Sequence, residues 1–227
     1  GARKGGVNEM QHGLNMCFGG VRQALLWSTM VCCTLASADG LQSLEAFVKT
    51  VKSGRAEFTQ VVTSPTREGQ QPKVKTSSGT FEFQRPNRFR FVYKKPFEQT
   101  IVADGQTLWL HDVDLNQVTA RKQAAAQGST PAALIAAAPD LSALQKDFAL
   151  EAAPDKDGLQ WVQALPKAKD GQLRSVRVGF KADQLAVLEI LDGFAQRSVL
   201  TFSNFQTPAP LAADAFQFQP PAGADVM

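Results

Sequence analysis

Between residues 79 and 94 the sequence alternates between aromatic and polar side chains, and this pattern constrains the fold more than any other feature. The aromatic residues all have odd numbers: Phe81, Phe83, Phe89, Phe91 and Tyr93. Successive side chains of a β-strand point to opposite faces, so these five rings share one face and the polar residues share the other. The pattern predicts a half-buried antiparallel sheet, interrupted by a turn or an edge distortion at Pro86 and Asn87.

Two amphipathic segments predict short helices. Apolar residues between positions 41 and 51, among them Leu44 and Phe47, recur at helical spacing before Gly54, which predicts a helix over 40–53. An alanine-rich run predicts a second helix over 131–138, capped by Ser129 and Thr130 and ended by Pro139. Its larger apolar residues are Leu134 and Ile135. A further helical turn is expected over 141–146.

Regular strand signals fill the rest of the chain. Phe58 indicates one strand, and Asp104-Gly105 between apolar runs that contain Ile101 and Leu108 predicts a hairpin. Six more strand candidates, most of them separated by turn signals, lie at 116–120, 148–153, 159–165, 173–180, 185–191 and 197–205. Short strands at such spacing predict one mainly β domain, a barrel or a sandwich, over residues 39–227.

The N-terminal segment has the form of an export signal. An apolar run from Ala24 to Leu35 follows Arg22 and precedes the small residues Ala36-Ser37-Ala38. We expect residues 1–38 to be a signal peptide with an upstream extension, cleaved after Ala38. The run is too short to cross a bilayer, which takes roughly 20 residues. Because Val31 precedes Cys32, the cysteines do not form a lipoprotein signal.

The composition of residues 39–227 excludes several function classes. This part carries 21 Lys and Arg against 20 Asp and Glu, which gives no electrostatic footprint for nucleic acid. It has no cysteine and a single histidine, His111, which we expect at the surface. Disulfides, cysteine nucleophiles and two-histidine metal sites are therefore excluded within one chain. No Gly-x-Ser-x-Gly motif is present, and Asp155-x-Asp157-Gly158 is interpreted as a turn. We expect no enzyme activity, no cofactor and no metal.

One arginine breaks the parity of the aromatic stretch. Arg85 is odd-numbered, so it points to the apolar side if the strand continues to it, where its donors need partners. Alternatively Pro86 bends the chain and Arg85 reaches solvent. The apolar face itself is either a packed core or the wall of a lipid cavity.

Several short motifs, in this order and spacing, resemble the outer-membrane lipoprotein carrier proteins (LolA type). They are Phe58-Thr59-Gln60, Arg85-Pro86-Asn87-Arg88-Phe89-Arg90-Phe91, Ala103-Asp104-Gly105-Gln106-Thr107-Leu108-Trp109, Gly128-Ser129-Thr130-Pro131, Asp192 with Gln196-Arg197, and Phe216-Gln217-Phe218-Gln219-Pro220-Pro221-Ala222-Gly223. The resemblance covers most of residues 41–226. It implies an unclosed, strongly curved antiparallel β-barrel with a helical lid over an apolar cavity.

The resemblance also implies a function and a set of site residues. Such carriers accept acylated lipoproteins from an ATP-driven transporter in the inner membrane and deliver them across the periplasm to an outer-membrane receptor. The arginine that matches Arg85 fastens the lid by hydrogen bonds to lid backbone in the closed, empty state. The expected acyl-chain cavity consists of Leu44, Phe47, Phe58, Phe81, Phe83, Phe89, Phe91, Tyr93, Ile101, Leu108, Leu134 and Ile135.

Two other functions remain open at this point. The outer-membrane receptor shares the fold but is itself a lipoprotein, and the missing lipoprotein signal argues against it. The alternative is a periplasmic lipid-binding sensor or chaperone of the same fold without a transport role, for which we would expect an additional domain. We expect the protein to be a monomer, because no association motif is evident.

Overall fold

A computed structural model describes residues 39–66, 69–126, 131–169 and 171–227, all of which belong to one compact unit. The predicted signal segment 1–38, the predicted cap at Ser129 and Thr130, and Asp170 lie outside the described residues. So does the side chain of Leu134. Among the described residues, no helix is long and apolar enough to cross a membrane.

Three α-helices are present in the described residues, α1 (Gly40–Thr50), α2 (Pro131–Ala137) and α3 (Leu141–Asp147), together with a single 3-10 turn at Gln123–Ala125. Asp39 caps α1, since its carboxylate accepts from the Gln42 backbone N–H while the Gln42 side chain accepts from the Asp39 N–H. The prediction of a helix over 40–53 was too long at its end. Val51 is extended, and the first strand begins two residues later, at Ser53.

Twelve strands form a single sheet in the described part of the chain. They are β1 (Ser53–Thr63), β2 (Val74–Gln84), β3 (Arg88–Lys95), β4 (Gln99–Ala103), β5 (Thr107–Asp112), β6 (Gln117–Lys122), β7 (Phe148–Lys156), β8 (Leu159–Pro166), β9 (Leu173–Lys181), β10 (Gln184–Asp192), β11 (Arg197–Gln206) and β12 (Asp225–Val226). Their order is β12-β6-β5-β4-β3-β2-β1-β11-β10-β9-β8-β7. The sheet is curved and unclosed, with β12 and β7 at its two edges, as the predicted fold class requires.

The predicted turn chemistry is confirmed at two hairpins. Asp104 accepts hydrogen bonds from the backbone N–H groups of Gln106 and Thr107, which closes the turn between β4 and β5. Partial burial alone would raise the pKa of Asp104, but these backbone hydrogen bonds outweigh it and the pKa is lowered. Asp157 and Gly158 both have positive φ and form the turn between β7 and β8, as expected for this segment.

The helices lie on the concave face of the sheet. Helix α1 packs on β7 to β10, and α2 packs on β2, β3 and β10. The approach of α1 is close, because a Cβ on Gly40 would lie 2.0 Å from the backbone oxygen of Trp161. Only glycine fits there without displacing strand β8.

The C-terminal segment follows the outer, convex face and ends at a sheet edge. The guanidinium of Arg88 lies 5.9 Å from the ring centroid of Phe216, and the ring of Phe218 lies 5.5 Å from Trp109. His111, expected at the surface, is half-buried beside Phe218, since the segment that covers it comes from far along the chain. Strand β12 then pairs in parallel with β6, an element that was not predicted.

Candidate functional site

The predicted cavity residues come together in one apolar cluster on the concave face. Ten of them are at most 8% exposed: Leu44, Phe47, Phe58, Phe81, Phe83, Phe89, Phe91, Ile101, Leu108 and Ile135. Tyr93 is half-buried and packs against the same cluster. The side chain of Leu134 is not described, and contact with acyl chains stays a prediction for the whole set.

Aromatic rings fill the space between sheet and helices. The rings of Phe81 and Phe91 stack with centroids 4.4 Å apart, and Phe58 meets Phe91 edge-on at 5.4 Å. From the helix side, Phe47 reaches Phe83 at 5.9 Å and Phe180 at 5.7 Å. These distances are those of a packed interior, so the helices lie directly against the sheet.

Arg85 lies at the end of β2 and is buried, at 8% exposure. Its Nε donates to the Val51 carbonyl at 2.7 Å, and its Nη1 donates to the Ala138 carbonyl at 2.6 Å. The first acceptor ends α1 and the second follows α2. Of the two orientations left open by the sequence, the one toward solvent was therefore wrong, and one side chain is bonded to the ends of two helices.

The guanidinium of Arg85 lies between two aromatic rings in a buried site, which disfavours its charged form through desolvation. The guanidinium carbon lies 5.0 Å from the ring centroid of Phe47 and 5.3 Å from that of Phe83. Burial lowers the pKa of Arg85 to about 10, so it stays protonated at neutral pH. Among the described residues, Nη2 has no hydrogen-bond partner.

The backbone of the same turn adds two further bonds. The Arg85 N–H donates to the Lys52 carbonyl, and the Asn87 N–H donates to the Ala137 carbonyl, both at 2.8 Å. Together with the side-chain bonds, four hydrogen bonds join the β2–β3 turn to the end of α2 and to the residues that directly follow α1 and α2. We call this set of contacts the latch.

The second wall of the interior was not identified from the sequence. It consists of residues from β8 to β11, among them Val162, Val176, Val178, Phe180, Leu188 and Leu200. Within β9 the buried residues Val176, Val178 and Phe180 are alternate positions, so the parity rule that located the aromatic face would have found them. The described residues contain no group of three or more His, Cys, Asp or Glu that could hold a metal ion.

Comparison with known proteins identifies the family. The sequence profile of the outer membrane lipoprotein carrier protein LolA matches residues 49–219. The chain belongs to the LolA family. An outer-membrane lipoprotein carrier protein from Albidiferax ferrireducens is 72% identical over 197 residues, which cover 85% of this chain and 92% of that protein. One from Methylibium petroleiphilum is 55% identical over 209 residues, which cover 91% of this chain and 99% of that protein.

The LolA match contains the features described above. Arg85 and both of its side-chain acceptors, Val51 and Ala138, lie inside residues 49–219. The aromatic strands β2 and β3 and the second wall, β8 to β11, also lie there. The latch and the apolar interior therefore belong to the LolA-like part of the chain.

Proposed function

We propose that this protein carries acylated lipoproteins through the periplasm. The observation that supports the proposal is an apolar concave face covered by helices, with a buried arginine that fastens them, in a chain of the LolA family. Acyl chains would occupy the space between sheet and lid after the lid moves. The role is non-catalytic, because the protein shields its cargo and changes no covalent bond.

Energetics suggests why such a carrier depends on other proteins. Burying one acyl chain of about 16 carbons is worth on the order of 12 kcal/mol relative to water. The bilayer already provides that burial, so the carrier roughly breaks even and does not extract a lipoprotein unaided. We infer that an ATP-driven inner-membrane transporter loads it and that an outer-membrane receptor accepts the cargo.

The latch supplies a bias toward release in this proposal. Opening the lid breaks the two charge-assisted hydrogen bonds of Arg85 to Val51 and Ala138, so the loaded state lacks contacts that the empty state has. Release of cargo restores them. The acyl-chain site is the cluster of predicted residues around Phe81 and Phe91, and Arg85 is the residue that sets the balance between the two states.

The cellular location follows from the N-terminal segment. We infer that residues 1–38 direct export and are removed after Ala38, which leaves the protein in the periplasm as a monomer. Mass spectrometry of the mature N-terminus tests this, with Asp39 as the expected first residue.

The carrier proposal is tested by release of lipoprotein from membranes. The full chain is expressed, and the protein purified from the periplasm is mixed with inner-membrane vesicles that contain the transporter and a labelled lipoprotein. We expect the label in a soluble 1:1 complex with the protein when ATP is present and not without it. Binding of free lipid without any release would overturn transport in favour of a lipid sensor, and absence of both would leave the apolar face as a core.

A further inference from the structure

On the concave face, residues paired across neighbouring strands form rows that run across the sheet. These rows change from apolar to polar with distance from the latch. The row nearest the latch is Gly54, Phe83, Phe89, Ala103 and Leu108, and the next is Ala56, Phe81, Phe91, Ile101 and Leu110. The third row is Phe58, Gly79, Tyr93, Gln99 and Asp112. Beyond it, Gln60 pairs with Ser77. All these positions face the same side of the sheet, so one continuous surface is apolar near the latch and polar at the opposite end.

An open groove begins where this surface becomes polar. It has a volume of about 670 Å³ and is lined by Gln60, Tyr93, Gln99 and Asp112 from the strands, among others. Its outer rim includes two apolar side chains on turns, Phe97 and Leu115, which are 71% and 65% exposed. The groove thus offers carboxylate and amide groups beside exposed apolar contacts.

Tyr93 connects the groove to the apolar interior. Its ring packs edge-on against Phe58 with centroids 5.0 Å apart and also contacts Phe91, while its hydroxyl donates to Gln60 Oε1 at 2.8 Å. The Gln60 amide in turn donates to Ser198 Oγ at 2.7 Å. A molecule in the groove is therefore one side chain away from the acyl-chain site.

We propose that the groove holds the first residues of the cargo polypeptide, those that follow the lipid-bearing cysteine. This inference rests on the proposed carrier function and assigns it a second subsite. A lipoprotein joins apolar chains to a polar peptide at a single residue, so its binding site must change polarity once, as these rows do. Gln60, Gln99 and Asp112 supply hydrogen-bonding groups for peptide backbone, and Phe97 and Leu115 flank it.

The test is crosslinking, which the absence of cysteine from residues 39–227 makes simple. Leu115→Cys and Phe97→Cys report on the groove. Phe194→Cys is a control of equal exposure, 72%, on another turn at the same end, and Gln106→Cys is an exposed control at the latch end. The cargo is a labelled lipoprotein whose one free cysteine stands three residues after the lipidated one. Each variant is expressed as the full chain, purified from the periplasm, loaded and treated with a short bifunctional maleimide.

We expect the two groove variants to crosslink faster than the controls by on the order of 100-fold, since a peptide in the groove holds its thiol within reach of the short linker at a millimolar effective concentration, whereas the control thiols lie beyond that reach. Three results would overturn the groove assignment. They are stronger crosslinking at Gln106→Cys than at the groove variants, equal crosslinking at Phe194→Cys, or no crosslinking of the groove variants in an intact 1:1 complex. The last two results would fit a groove that serves a membrane or a partner protein. Failure of wild type to form the complex would instead overturn the proposed function.

Discussion

Replacing Arg85 by leucine removes the side-chain part of the latch. Two hydrogen bonds are lost, from Nε to the Val51 carbonyl at 2.7 Å and from Nη1 to the Ala138 carbonyl at 2.6 Å. Hydrogen bonds from a charged donor contribute about 1.5–3 kcal/mol each, so the pair contributes roughly 3–6 kcal/mol to the closed arrangement.

Desolvation of the guanidinium opposes that contribution. Burial lowers the pKa of Arg85 to about 10. Because net hydrogen-bond values already include an average desolvation cost, and because Arg85 is buried and its Nη2 has no partner among the described residues, we take the lower end of the range, about 3 kcal/mol, as the bias toward the fastened lid. A bias of this size changes the ratio of closed to open lid by about 100-fold.

We therefore expect Arg85→Leu to fold and to accept lipoprotein, but to pass it on up to about 100-fold more slowly than wild type. The reason is that the closed, empty state is no longer stabilised relative to the loaded state. The assay follows labelled lipoprotein from the soluble complex into outer-membrane vesicles that contain the receptor. Arg88→Leu is the matched control, since Arg88 points to the outer face and stacks on Phe216 instead of bonding the lid.

Transfer by Arg85→Leu at the wild-type rate, with a native circular dichroism spectrum, would refute the latch. If Arg85→Leu does not fold, Arg85→Lys takes its place, since lysine keeps the charge but lacks the fork that reaches Val51 and Ala138 together. Slower transfer is expected for that variant too, and an unchanged rate would contradict the reasoning in the same way.

Three further predictions concern packing and titration. Gly79→Ala places a Cβ 1.9 Å from the Val92 carbonyl oxygen, and we expect a loss of about 2–3 kcal/mol, measured as a lower Tm. Phe216→Ala empties a site that is 6% exposed and is expected to cost about 3 kcal/mol in urea unfolding. Burial raises the pKa of Tyr93, the chain's single tyrosine, to about 12. Its phenol therefore ionises near pH 12 in the native ultraviolet titration, and the stability it contributes below its unfolded pKa of about 10 is lost as pH rises through 12.

Each of these predictions has a control in the same chain. Gly171→Ala meets its nearest neighbour, the Leu173 nitrogen, at 3.9 Å and should leave Tm unchanged. Phe194→Ala removes a ring that is 72% exposed and should change stability by less than about 0.5 kcal/mol. Tyr93→Phe should abolish the native phenol titration and lessen the alkaline loss of stability. Equal losses of stability in variant and control, or ionisation of the Tyr93 phenol near pH 10 in the native protein, would contradict the packing argument.

Strand positions and their faces were predictable because they depend on local alternation. The five odd-numbered aromatic residues of β2 and β3 lie on the concave face as parity required. The end of α1 was placed three residues late, because helical periodicity does not reveal where an extended strand such as β1 takes over. Strand β12 was missed since two residues carry no periodic signal.

The direction of Arg85 was not predictable from residues near it. Its acceptors, Val51 and Ala138, lie 34 and 53 residues away, and their carbonyls are available because each stands at the end of a helix. Only the resemblance to the LolA family indicated a bond to the lid. The groove beside Tyr93 was not predicted for a similar reason, because its lining comes from five strands and two turns.

The position of β1 in the middle of the sheet governs the order in which the molecule assembles. One of its edges pairs with β2, the next strand of the chain, but the other pairs with β11, which begins only at Arg197. A chain that emerges from a ribosome or a translocation channel N-terminus first therefore presents β1 to β6 as an incomplete sheet, while residues 123–196 are still to come. During that interval the edge of β1 and the rings of Phe58 and Phe81 face water, ready for unwanted pairing with another chain. We therefore expect this protein, which shields the apolar chains of other molecules once folded, to need a chaperone for its own apolar surface during synthesis and export.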